Sequence, residues 1–139
     1  MISKKDVITM KVPFPNISAN LAVNAHMYIC QYTAGKERRF LKCQTLKPYM
    51  LYNAVMSHYW DEEADINRNP FMRKTRIDCD KLFITKNIQY SLRMRTATRP
   101  DVCDDLMRNA ERELFADGYL TCNIIENDLL SLNHLASKI

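Results

Sequence analysis

Residues Met27–Thr45 read MYICQYTAGKERRFLKCQT, and the reading of this stretch decides the fold. Met27-Tyr28-Ile29-Cys30 is a continuous apolar run of the kind that suits a central strand covered on both faces. Thr33-Ala34-Gly35-Lys36 supplies a turn between Met27–Tyr32 and Arg38–Thr45, because glycine takes a positive φ at little steric cost. The pair is a hairpin, and the rest of the chain is read outward from it.

Upstream, Asp6–Val12 alternates Ile8, Met10 and Val12 with Thr9 and Lys11, the pattern of a half-buried strand. Pro13-Phe14-Pro15-Asn16 ends it, since proline cannot donate into a ladder, and Ile17–Ala25 reads as a polar loop. Downstream, Pro48 closes the second arm of the hairpin, and Tyr49–Trp60 carries Met50, Leu51, Ala54, Val55 and Tyr59 at roughly helical spacing. Asp61–Pro70 is a loop by composition. Arg73–Ile77 and Leu82–Thr85 are two short strands separated by Asp78-Cys79-Asp80. Asp101–Asp117 is the clearest helix: Val102, Leu106, Ala110 and Leu114 form one stripe, Asp101, Asp104 and Asp105 complement the dipole, and Gly118 stops it. A second helix from about Asn127 to Ser137 would set Leu129, Leu130, Leu132 and Leu135 against the body. Short strands followed by terminal helices give an α+β, barrel-like domain, and 139 residues hold one domain.

Composition bounds the function. Apolar types make up 47% and charged types 26%, a globular balance that excludes a disordered chain. The two glycines, Gly35 and Gly118, cannot build a glycine-rich phosphate cradle, which excludes dinucleotide and P-loop binding. No apolar run approaches the ~18 residues of a membrane span, and Lys4, Lys5 and Asp6 do not open a signal peptide, so a cytoplasmic protein without a membrane partner is expected. Cys30, Cys43, Cys79, Cys103 and Cys122 are odd in number, widely spaced and free of any CxxC pair, and are read as small packing residues. His58-Tyr59-Trp60-Asp61-Glu62-Glu63 holds potential ligands but no second histidine at ligand spacing, so no metal and no cofactor is expected.

Charge is unevenly placed. Residues 1–60 carry +6, Asp61–Asp65 −4, Arg68–Arg99 +7 and Pro100–Ile139 −5. Such a molecule can offer a polyanion one basic face and keep its acidic third away from it.

Several landmarks taken together resemble the PemK/MazF family of mRNA-cleaving toxins from toxin-antitoxin pairs. They are Lys5-Asp6-Val7-Ile8, Pro13-Phe14-Pro15, Ser18, the strand Met27-Tyr28-Ile29-Cys30, Lys42-Cys43-Gln44-Thr45, the segment Asp80–Lys86 and the helix Asp101–Phe115. The resemblance spans most of residues 5–116 and leaves 119–139 as a C-terminal extension of a single domain. It implies a small SH3-like β-barrel with appended helices, a homodimer that binds single-stranded RNA in a groove and is neutralised by a small antitoxin protein. Active members pair an arginine before the second strand with a threonine after the third; here Thr45 stands at the second position and Val23-Asn24-Ala25-His26 at the first.

RNA cleavage without metal needs a base for the 2′-hydroxyl and positive charge on the phosphate. His26 is the titratable candidate at the mouth of the second strand, and the Thr45 hydroxyl can donate to a phosphate oxygen. Arg38, Phe40 and Lys42 share a strand face by their spacing of two, and with Lys47 they form a basic row carrying an aromatic on which a base could stack. Arg93, Arg95 and Arg99 repeat the spacing nearer the helix. The competing readings are a catalytically inactive module for nucleic-acid or protein interaction, and a small barrel used only for subunit contacts.

Overall fold

The computed structural model describes residues 1–13, 24–52 and 58–139. Phe14, Pro15, Asn16, Ile17, Ser18, Val23, Ala54 and Val55, which entered the reading above, lie outside those residues. The hairpin forms as expected: β2 (His26–Ala34) pairs antiparallel with β3 (Glu37–Thr45) from Met27 opposite Cys43 to Ala34 opposite Glu37. Gly35 turns the chain at φ 57°. β1 (Val7–Met10) lies on the other side of β2.

β3 is long enough to serve two partners on its far edge. Its C-terminal end pairs with β5 (Thr75–Asp78), and its N-terminal end with β6 (Lys81–Lys86). The two run consecutively, joined at Cys79 and Asp80, as one bent antiparallel partner of β3. β4 (Tyr59–Glu62) extends the sheet beyond β5, and β8 (Leu120–Asn123) adds a parallel strand to β6. β7 (Ile88–Tyr90) and β9 (Ala136–Lys138) form a separate two-stranded ribbon.

The chain is thus α+β with a mostly antiparallel sheet, and the sheet is not closed into a barrel. The physical reason lies at β1. Its outer edge is occupied by the segment before the main helix: Val7 N–H donates to Pro100, Thr96 N–H to Val7 and Val102 N–H to Lys5, and Ile8 bridges Arg95. No described strand is left to meet that edge.

Both faces of the sheet are covered, which explains the uninterrupted apolar run in β2. Alternation sends Ile8, Met10, Tyr28, Cys30, Phe40 and Phe83 to one core, shared with Ile88, Tyr90 and Leu129, and sends Val7, Ile29, Leu41, Cys43, Ile77 and Leu82 to the other. The second core is roofed by α2 (Asp104–Leu114), which buries Leu106, Met107, Ala110 and Leu114. Each large side chain contributes about 1.5–3 kcal/mol on burial. Cys30, Cys43 and Cys79 are buried within these cores and pack as small apolar residues.

Four sequence expectations are corrected. α2 starts at Asp104 rather than Asp101, because Asp101 bridges Asp6 and the Cys103 thiol accepts from Leu106 N–H as its cap. The helix expected over Tyr49–Trp60 is described only as α1 (Tyr49–Tyr52); Tyr59 and Trp60 instead begin β4, opposite Asp78 and Ile77. That strand also takes Asp61 and Glu62 out of the expected loop. The last helix, α3 (Glu126–Leu132), stops short of Ser137. Asn133 ends it by donating to the Leu129 and Lys11 carbonyls and accepting from Lys11 N–H, which frees residues 136–138 to pair with β7. Among the described residues no helix is long and apolar enough to cross a membrane.

Candidate functional site

The strand ends opposite the Gly35 turn carry the polar chemistry. By alternation, His26, Lys42 and Gln44 share one face, and the register sets Gln44 opposite Arg76 and Arg76 opposite Asp61. Arg76 is almost wholly buried: it grips Asp61 through Nε and Nη2 at 2.8 and 2.9 Å, donates to the Met50 carbonyl at 3.0 Å and lies 3.7 Å from the Tyr59 ring centroid. That cation is fully committed. Asp78, two residues on, accepts from Gln44 Nε2 at 3.1 Å, and burial pushes its carboxyl up to about 6 against the pull of Lys42.

At the rim of this face a cavity of about 300 Å3 is lined by His26, Gln44, Thr45, Phe71, Arg73 and Thr75 among others. The β2–β3 and β3–β5 registers bring these residues together from widely separated positions. His26 and Thr45, expected at one edge of a groove, do meet there. His26 is half-buried and its pKa is lowered, first by burial and then by Lys42 and Lys47. Both effects favour the neutral imidazole, the form able to accept a proton. Thr45 is exposed at the end of its strand.

Adjoining this cavity through Ala25, Met27 and Met72 is a larger one of about 580 Å3, lined also by Lys11, Arg93, Met94, Arg95, Asn133 and His134. No aspartate or glutamate is among the described residues that line either cavity. Lys11, Arg73, Arg93 and Arg95 form no ion pair among the described residues. Several acids of α2 are engaged elsewhere: Glu111 with Lys4 and Gln31, Asp104 with Lys5, and Asp105 with Arg68. Arg99, the third of the spaced arginines, pairs with Asp101.

The expected basic row is divided by the structure. Lys42 and Lys47 sit near His26, close enough to depress its pKa. Arg38 and Phe40 belong to the opposite, hairpin end. Phe40 is fully buried, its ring edge-on to Tyr90 at 5.3 Å, so it presents no face to a base. Arg38 is 3% exposed and points into the body. Both faces of the hairpin are covered, so a spacing of two did not produce a solvated row. The residue that the sequence reading missed is Arg73, placed at the cavity by the pairing of Thr75 with Thr45. The segment His58–Glu63 serves as structure: His58 lies between Glu113 and Asp117, while buried Glu62 accepts from Trp60 Nε1, Arg68 and Asn69.

No family model matches the chain, and no curated protein or solved structure matches it either.

Proposed function

We propose that this chain binds single-stranded RNA along the two adjoining cavities and cleaves it at His26 without a metal ion, as a PemK/MazF-like toxin held in check by a small antitoxin. One observation carries the reading: among the described residues, two cavities that share Ala25, Met27 and Met72 are lined by four lysine and arginine side chains outside any ion pair and by no carboxylate, and the smaller also holds a histidine of lowered pKa and a threonine hydroxyl. Phosphates would be held by Lys11, Arg93 and Arg95, at a strength set by counterion release. At the scissile linkage the His26 imidazole takes the 2′-hydroxyl proton and the 2′-oxygen attacks phosphorus. The bond to the 5′-oxygen breaks, leaving a 2′,3′-cyclic phosphate. Arg73 supplies the positive charge on the phosphoryl oxygens that the family draws from an arginine before the second strand, and Thr45 donates a hydrogen bond to the same oxygens. The departing 5′-oxygen takes its proton from water. On this reading the β1–β2–β3 core with its bent β5–β6 partner is an opened variant of the SH3-like barrel, and the protein works as a cytoplasmic homodimer.

The test is incubation of a long mixed-sequence RNA with the purified protein in EDTA. Wild-type protein is expected to yield fragments ending in cyclic phosphate. His26→Ala and Arg73→Ala should each lower the rate about a hundredfold or more while shifting RNA affinity only a few-fold, because their contributions fall in the transition state. RNA that is bound but left intact at every pH would sink cleavage and leave the inactive binding module. Absence of binding at low salt would sink both.

A further inference from the structure

Among the described residues β1, β4 and β8 end the sheet, and β8 is unguarded. The outer edge of β1 is occupied by residues 95–102, and β4 carries Asp61 and Glu62. β8 pairs with β6 alone, and it holds no charge and no proline, the devices that ordinarily keep an edge strand single. From Tyr119 to Ile125 the chain reads YLTCNII, without a charge, and Leu120 and Ile125 within it are 74% and 65% exposed. The pairing phase fixes what this edge offers. Leu120 N–H donates to the Asp80 carbonyl and Ile124 N–H to that of Ile84, both at 2.9 Å. Alternate residues of a parallel strand face the same neighbour, so Leu120, Cys122 and Ile124 turn their backbone groups towards β6, and Thr121 and Asn123 turn theirs outward. Both of those residues are exposed.

We propose that β8 pairs antiparallel with the β8 of a second copy of this chain, the two-fold axis passing at Cys122, so that the two sheets join into one. Thr121 then exchanges both backbone hydrogen bonds with Asn123 of the partner subunit. Leu120 comes opposite Ile124 of the partner subunit, and Tyr119 opposite Ile125 of the partner subunit. The faces agree: Cys122 and Ile124 pack in the core that holds Phe83, Leu120 alternates onto that side, and Tyr119 packs against the core under α2. Self-match is what selects a second copy as the occupant. An isologous contact sets one patch against itself, and this register lays the uncharged stretch on itself from end to end, apolar residue to apolar residue, with no like charges opposed. Moving the axis by one residue sets Asp117 against Ile125 in one direction and Asn127 against Tyr119 in the other. The pairing gives the homodimer of the functional reading its interface, and it rests on that reading for the count of two chains alone.

The test combines sedimentation with residue-resolved amide exchange on the 139-residue chain, both across the micromolar range that suits so short a seam. Wild-type protein is expected to dimerise, with the Thr121 and Asn123 amides exchanging about tenfold or more slowly in concentrated than in dilute solution. Leu120→Lys charges an exposed edge position, and Thr121→Pro removes an outward donor without costing a bond to β6; each should raise the dimer dissociation constant about tenfold or more. Ile66→Lys, at an exposed apolar residue away from β8, should leave it unchanged. The amide measurement uses wild-type protein alone, so it decides the matter even where a variant does not fold. A dimer whose Thr121 and Asn123 amides exchange at one rate at every concentration would overturn this interface and leave the homodimer standing. A monomer throughout would overturn both, the edge then being open to a strand of a different protein. Failure of RNA cleavage alone bears on the functional reading and does not touch the seam.

Discussion

Replacing Asp78 by asparagine should make this protein more stable at neutral pH and leave it unchanged in acid. Asp78 is 5% exposed, and burial raises its carboxyl from 3.8 to about 6. Between those values the folded protein holds a proton that the unfolded chain has released, so stability falls as pH rises through the window and stays lowered above it. The gap corresponds to ~3 kcal/mol. In Asp78→Asn the side-chain amide would keep an oxygen for Gln44 Nε2 and shed the buried charge, while Lys42 would lose a compensating anion, which takes back part of the gain. A net stabilisation of about 1–3 kcal/mol at pH 7.5 is expected, a rise in Tm of roughly 3–9 °C for a chain of this size. Urea unfolding of both proteins from pH 3.5 to 7.5 provides the measurement. The two stability curves should converge below about pH 4, separate between pH 4 and 6 and run parallel above that. A difference of constant size across that range, or a destabilised variant at pH 7.5, would refute the reasoning.

Further outcomes follow from the same geometry. The logarithm of the affinity for single-stranded RNA should fall linearly with that of salt concentration, and the double variant Arg93→Ala, Arg95→Ala should flatten the slope by about 1.4, at ~0.7 for each phosphate no longer neutralised; an unchanged slope places RNA elsewhere. The acid limb of the cleavage rate should have its midpoint below the ordinary histidine value of 6.5, since burial and the two lysines lower the His26 pKa, and it should be missing in His26→Ala. Arg68→Ala should cost about 2–4 kcal/mol by chemical denaturation, because it strips the buried Glu62 carboxylate of a partner at 2.7 Å and unties Asp105 of α2. Sedimentation at tens of micromolar is expected to give twice the chain mass of 16.3 kDa, and a species of single mass would remove the homodimer from the proposal.

The parts of the fold that were legible are those whose burial repeats along the chain. Met27–Cys30 is apolar throughout because both sheet faces are covered, and the stripe Leu106, Ala110 and Leu114 recurs every four residues because α2 rests on one of them. What escaped has no such period. β8 is held by parallel pairing to β6 alone, and three of its four side chains are exposed, so Leu120–Asn123 carries no alternation to read. β9 exists because Asn133 breaks α3 through bonds to Lys11, 122 residues away. The site was half legible for the same reason. Cross-strand register joins His26 to Thr45 through the hairpin, which local sequence encodes, whereas Arg73 reaches them through the β3–β5 pairing, which it does not.

The charge asymmetry visible along the sequence acquires its meaning only in three dimensions. The net +4 is too small to select a partner, and the acidic C-terminal third could have neutralised either basic segment. Much of it is engaged instead by Lys4, Lys5 and Arg68, which Glu111, Asp104 and Asp105 of α2 meet where the helix packs on the sheet. Arg76 and Arg99 are likewise paired with Asp61 and Asp101. Among the cations that no carboxylate pairs with in the described residues, Lys11, Arg73, Arg93 and Arg95 are the four that line the adjoining cavities. Exposed cations scattered over a surface would be ordinary. Four gathered in two adjoining carboxylate-free cavities repel one another, and their mutual repulsion is relieved when a polyanion enters.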